Sequence, residues 1–159
     1  MTSQPGQHRA QRIVVGVDGS AGSRAALRWA SEKAELRDAE LEAVMARMPP
    51  LPMALFGPGS TPIPTTTAPL DLEARARKSE ETLQQILREV FGAQLPSRLT
   101  WHFQEGHPVG VLLARTADAD LLVVGARGEG GFSGLLTGSV SEQCVRHAAC
   151  SVVVVRLKK

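Results

Sequence analysis

Two short stretches hold the residue types that could bind a phosphorylated ligand. The first is Val14-Val15-Gly16-Val17-Asp18-Gly19-Ser20, an apolar run that ends in a glycine-containing turn. The second runs from Val123-Val124-Gly125-Ala126-Arg127-Gly128 to Gly138-Ser139-Val140-Ser141, with six glycines among the fourteen positions from Gly125 to Gly138. Glycine lets backbone N–H groups approach a ligand closely and adopt positive φ. Gly138, Ser139 and Ser141 then open a helical pattern. A helix N-terminus presents unpaired N–H groups and the positive end of a dipole, both of which attract phosphate. The hydroxyls of Ser139 and Ser141 would add hydrogen bonds. Glycine content alone is equally consistent with a loop that only turns the chain. Arg127 is open in the same way: its guanidinium either pairs with phosphate or points to solvent.

The common alternatives fail on spacing. A P-loop needs G-x-x-x-x-G-K-[ST], and Gly138 is followed directly by Ser139 with no lysine between them. A dinucleotide fingerprint needs G-x-G-x-x-G; Gly16-Val-Asp-Gly19-Ser-Ala-Gly22 has the wrong spacing, and Gly128-Glu-Gly130-Gly131-Phe-Ser-Gly134 is one residue too long. His102, His107 and His147 lack metal-ligand spacing. His107 before Pro108 reads as a turn or cap residue, and Glu129 as an exposed loop residue rather than a Mg²⁺ ligand. Cys144 and Cys150 are not C-x-x-C and read as free thiols. No Ser-His-Asp or Cys-His arrangement can be read from the sequence.

The elements that must position these residues alternate. Strands are expected at 12–17, 41–46, 99–103, 121–124 and 152–155. Helices are expected from Ser20 or Ser23 to about Leu36, over 72–91, from Pro108, and from about Thr137–Ser139 to His147. Ala26, Leu27, Ala30 and Ala34 share one helical face, as do Leu83, Ile86, Leu87, Val90 and Phe91. Val109, Leu112, Leu113 and Thr116 are expected to share a face of the third helix. Trp101 and Phe103 would lie on one face of their strand. Leu121–Val124 is apolar without alternation, as suits a central strand buried on both sides. This order argues for one parallel sheet covered on both faces. In such sheets ligands sit beyond the carboxyl ends of the strands, where the strand order reverses. If the first and fourth strands are neighbours, the two glycine turns line one crevice.

Length and composition set the outer bounds. The chain has 159 residues, 43% hydrophobic and 21% charged, with a net charge of +2. That is one domain of ordinary globular composition, expected over 12–159 behind a disordered tail at 1–11. The charge balance argues against nucleic acid or an anionic membrane as the main partner. No run approaches the ~20 apolar residues of a membrane span, and the polar first residues do not form a signal peptide. A cytoplasmic location is the default expectation. Seven of the ten prolines lie between Met48 and Leu70. Proline blocks regular structure, so 48–70 is expected to be one long loop, either a mobile insert or a lid.

These stretches resemble the universal stress protein family. Ile13–Ser20 followed by Ala25-Ala26-Leu27-Arg28-Trp29-Ala30 looks like the start of such a domain. Asp120–Gly128 through Gly138-Ser139 is similar to that family's G-x2-G-x9-G-[ST] nucleotide motif, which Gly125, Gly128, Gly138 and Ser139 fit without a gap. Cys150–Arg156 is similar to the family's end. The resemblance implies a single-domain, doubly wound α/β fold: a five-stranded parallel sheet of order 3-2-1-4-5 with helices on both faces. It implies ATP as ligand, with Mg²⁺ carried by the phosphates. Asp18, by composition alone a turn residue, would contact adenosine. Gly16 and Val17 would shape the adenine side, and Ala46 would contact adenine through its backbone. Val124, Gly125, Arg127 and Gly128 would lie along ribose and phosphates, and Gly138, Ser139, Val140 and Ser141 would hold the phosphates.

The last strand, Val152, Val153, Val154 and Val155, is expected to be an apolar edge, which invites pairing with another chain; the family often dimerises there. The expectation is therefore a regulatory, ATP-binding homodimer with an unidentified protein partner. No general base or nucleophile is legible, so any ATP hydrolysis should be slow. The alternatives are a dimeric module of the same fold that has lost nucleotide binding, or a nucleotide-dependent enzyme related to the nucleotide α-hydrolases.

Overall fold

The computed structural model of the protein describes residues 10–49, 72–128 and 138–157. Residues 1–9 of the expected tail, most of the proline-rich segment and Glu129 lie outside the described residues. The element order is β1 (Arg12–Gly16), α1 (Ala21–Arg37), β2 (Glu40–Arg47), α2 (Leu72–Phe91), β3 (Leu99–Glu105), α3 (Pro108–Arg115), a single 3₁₀ turn (Thr116–Asp118), β4 (Leu121–Gly125), α4 (Ser139–His147) and β5 (Ser151–Val155). The strands form one parallel five-stranded sheet of order β3-β2-β1-β4-β5.

Local chemistry explains the boundaries. Ser20 caps α1 by accepting the Ser23 N–H at 3.1 Å, and Gly19 reaches the cap with φ +88. Asp38 ends α1 in the left-handed conformation at φ 51. Gly92 ends α2 at φ +78, its N–H donating to the Arg88 carbonyl. His107 caps α3, with Nδ1 accepting the Val109 N–H at 3.3 Å, and Pro108 takes the first helical position.

Strand alternation sorts the core into two layers. Ile13, Val15, Leu41, Ala43, Met45, Leu121 and Val123 face one way and meet Leu27, Ala30, Leu83, Ile86 and Leu87 of α1 and α2. Val14, Val44, Leu122 and Val124 face the other way and meet Val111 and Leu112 of α3 and Cys144 of α4. Trp101 and Phe103 share the first face, as expected; Phe103 packs against the core, while Trp101 is 36% exposed.

Several expectations shift; β2, β4 and β5 each gain one residue or two, and four changes have a clear cause. β1 stops at Gly16, although the Val17 N–H still donates to the Val44 carbonyl. β3 extends to Glu105 because it stays paired with β2 as far as Arg47. In α3 the buried residues are Val111 and Leu112; Val109 and Leu113 are half-buried, because the helix is rolled toward the cluster around Val14 and Val44. Thr116 is buried, but as the cap of α3 rather than a member of it: its hydroxyl donates to the Leu113 carbonyl and accepts the Ala149 N–H.

Candidate functional site

In a parallel sheet of this kind, the carboxyl ends of all strands and the amino ends of the helices that follow them lie along one edge. β1 and β4 are direct neighbours, so both glycine turns reach that edge side by side. A cavity of about 680 Å³ opens there. This lies within the ~300–1,000 Å³ range of small-molecule sites.

All twelve sequence-predicted site residues line this cavity. Gly16, Val17 and Asp18 come from the end of β1 and its turn, Ala46 from β2, and Val124, Gly125, Arg127 and Gly128 from β4 and its turn. Gly138 is the N-cap of α4, and Ser139, Val140 and Ser141 form its first turn.

The glycines differ in what demands them. A Cβ on Gly125 would lie 2.6 Å from the Gly22 carbonyl carbon and 2.8 Å from the Ser23 nitrogen, and one on Gly22 would lie 2.8 Å from the Arg127 carbonyl oxygen. These two glycines let the first turn of α1 lie directly on the end of β4. A Cβ on Gly128 would meet Asp18 Oδ2 at 2.5 Å. Gly138 has ordinary backbone angles, φ −78 and ψ 161, and a Cβ there would come no closer than 3.4 Å to the protein. Its glycine is therefore not required by the fold.

The polar groups are tied into the turns. Asp18 Oδ1 accepts from the Ser20 N–H at 3.0 Å and from the Ser20 hydroxyl at 2.6 Å, which fixes its carboxylate beside Gly128. The Gly138 N–H donates to the Ala126 carbonyl, which anchors the start of α4 against the end of β4. Ser141 is buried, and its hydroxyl donates to the Gly138 carbonyl at 2.9 Å or the Ala126 carbonyl at 3.2 Å. Its side chain thus holds the helix start in place, and what it offers the cavity is its backbone. The N–H groups of the first helical turn have no acceptor within the helix, and the residues carrying them border the cavity. Arg127 lines the cavity with an exposed side chain. Among the described lining residues Asp18 is the only carboxylate, and Arg47 and Arg127 are the only cations. No group of three or more potential metal-ligating side chains exists among the described residues.

A model of the universal stress protein family matches residues 9–156. The chain belongs to the universal stress protein family. A universal stress protein of Mycobacterium tuberculosis is 34% identical over 146 residues, which cover 90% of this chain and 46% of that protein. The chain spans about half the length of the curated relatives it matches. The solved universal stress protein UspA from Lactobacillus plantarum is 26% identical, with a TM-score of 0.69 over 93% of this chain and 99% of that one. A universal stress protein solved in complex with cAMP is 27% identical, with a TM-score of 0.60 over 92% of this chain and 97% of that one.

Within this universal stress protein fold the cavity also takes in residues that the sequence reading did not assign to it. Ser20 and Ser23 follow Asp18 and read from the sequence as cap candidates; Val44 lies two positions before Ala46 on the same strand face. Arg47 and Met48 follow Ala46 directly and could have been reached by extending the strand. Pro108 and Leu112 belong to α3, which no motif ties to the site. The mixture is two-sided. Val17, Val44, Ala46, Met48, Pro108 and Leu112 offer apolar surface, while Asp18, the serines, the glycine backbones and the first turn of α4 offer hydrogen bonds.

Proposed function

We propose that this universal stress protein binds ATP in the cavity at the carboxyl edge of its sheet, and that nucleotide occupancy regulates its encounters with a protein partner. The observation that carries the reading is the convergence of the first turn of α4, Gly138–Ser141, with Gly125–Gly128 and Asp18 on one cavity. Apolar residues of β2 and α3 suit an adenine ring, and Asp18 suits a ribose. The backbone of Gly128 and the first turn of α4 suit a triphosphate, with Mg²⁺ carried on the phosphate oxygens. The relative solved with cAMP supports adenine-nucleotide binding as the class of ligand.

Hydrolysis is slow in this reading. The only carboxylate among the described lining residues already accepts two hydrogen bonds from Ser20, and rapid phosphoryl transfer needs an oriented water and positioned charge.

Isothermal titration of ATP and Mg²⁺ into nucleotide-stripped protein, beside Gly138→Ala, tests the site. Wild-type binding that is lost in the folded variant supports it. Absence of binding by stripped, folded wild type overturns it. Titration with GTP tests the preference for adenine.

The working form proposed is a homodimer paired through β5, whose residues Val152–Val155 form a half-buried edge of the sheet. Light scattering at micromolar concentration should give twice the 17.0 kDa of one chain; a monomer mass sinks this part alone. Among the described residues no helix is long and apolar enough to cross a membrane. A cytoplasmic location accords with the proposed role and is tested by cell fractionation.

A further inference from the structure

One buried charge lies beneath this cavity. Glu42, the third residue of β2, is 3% exposed. Its Oε2 accepts from Arg12 of β1, through Nε at 3.1 Å and through Nη2, and its Oε1 accepts from Arg115 Nη1 of α3 at 2.5 Å. His102 Nε2 of β3 stands 3.6 Å from the same Oε1. Arg115 also donates to Gln104 Oε1 through Nη2 at 3.4 Å. A single carboxylate thus ties β1 and β2 to the last turn of one helix. An ion in that position is costly unless its partners are held in place, and removing one partner strands the other.

The placement of this pair relative to the cavity is what gives it a role. On β2, Glu42, Val44 and Ala46 share one face at two-residue spacing, and Val44 and Ala46 line the cavity. On α3, Pro108, Leu112 and Arg115 fall at i, i+4 and i+7, one helical stripe, and Pro108 and Leu112 line the cavity. The two lining stripes converge on the Glu42–Arg115 pair. α3 has only eight residues, of which Val111 and Leu112 are buried. Beside so short an apolar contact with Val14 and Val44, the ionic tie at the last turn is a second hold on the distance between α3 and β2. Leu112 is also the side chain that a Cβ on Gly16 would touch, at 3.0 Å, so a shift of α3 would be felt directly at the end of β1.

We infer that Glu42, acting through Arg115, is a positioning residue that sets the spacing between β2 and α3 and so the width of the base-holding side of the cavity. This rests on the ATP reading above. Neither residue touches the ligand in this account. They hold Val44, Ala46, Pro108 and Leu112 where they can grip a planar ring.

The test is isothermal titration of ATP and of adenosine into stripped wild type, Glu42→Gln, Arg115→Met and Arg115→Lys, each well below its melting temperature. Titration reports affinity and stoichiometry separately. A merely structural role lowers the binding-competent fraction and leaves Kd unchanged. The positioning role raises Kd for both ligands by about tenfold in Glu42→Gln and Arg115→Met, at unchanged stoichiometry. Arg115→Lys, which keeps the cation but loses the fork, should fall between these variants and wild type. Should Glu42→Gln fail to fold, the two Arg115 variants carry the comparison. Variants that bind within about twofold of wild type, or that lose only stoichiometry, overturn the inference and leave the ATP reading intact. Wild type that binds neither ligand overturns both.

Discussion

The two faces of the sheet are built differently. On one face α1 and α2, of 17 and 20 residues, bury Leu27, Leu83, Ile86 and Leu87 against Ile13, Val15, Leu41 and Met45. This face is sealed by apolar packing. On the other face α3 and α4, of 8 and 9 residues, cover a smaller cluster around Val14, Val44, Leu112 and Cys144. The cavity opens there, and the buried Glu42 with its half-exposed arginine partners lies beside the apolar patch. Apolar burial is non-directional and scales with area, so long helices suit stability. Short helices bury less, and α3 and α4 leave room for the cavity that their first turns line together with the start of α1. One face is built mainly of apolar packing, and the other carries the cavity.

The largest effects should come from the sealed face. Leu87 is fully buried, and Leu87→Ala should lower unfolding free energy by about 2–5 kcal/mol in denaturant titrations while leaving ATP affinity of the folded fraction unchanged. Leu112→Ala makes the same kind of deletion on the other face, at a side chain that lines the cavity, and should weaken ATP binding as well. Equal effects of the two variants on affinity would erase the distinction between the faces.

Gly125→Ala should cost about 1–3 kcal/mol, because its Cβ would be driven into the first turn of α1 where the two faces meet. A variant as stable as wild type would show that α1 can lift from β4 at no cost.

Cys144 supplies a pH-dependent probe of the cavity face. Burial pushes its thiol up to about 11 from the ordinary 9.0, and burial also raises Cys150. The folded state therefore keeps these protons while the unfolded chain releases them, so stability is full below pH 9 and falls from there toward pH 11. Chemical denaturation across that window should show a shallower decline in Cys144→Ala than in wild type; equal slopes would contradict the assignment.

The smallest stability effect should be at the site itself. Gly138→Ala has room and ordinary backbone angles, so its stability should stay within about 0.5 kcal/mol of wild type while ATP binding is lost. A large loss of stability would mean that Gly138 serves the fold rather than the ligand.

Much of this molecule is legible in local pattern. Helix ends at Ser20, Gly92 and His107-Pro108 follow from cap and turn chemistry that acts over three or four residues. The periods of α1 and α2 follow from apolar faces long enough to repeat. The shorter α3 misled for the same reason: eight residues offer too few turns to distinguish Val109 from Val111 as the inward position. The spacing of Gly125, Gly128, Gly138 and Ser139 marks a candidate phosphate cradle because close approach of backbone to a ligand is a local requirement.

What the sequence by itself determined, then, is the alternation of strands and helices, their caps, and the residues with the chemistry to meet a phosphate. Tertiary structure alone decided which of those residues meet. It set β1 beside β4, and it laid Gly22 on Gly125, giving both glycines a packing reason that spacing does not reveal. It also turned Glu42, a charged residue flanked by Leu41 and Ala43, into a carboxylate shared by Arg12 and Arg115, with His102 alongside. The physical reason is range. Propensity, capping and period act between neighbours in the chain, whereas steric fit and ion pairing act between neighbours in space.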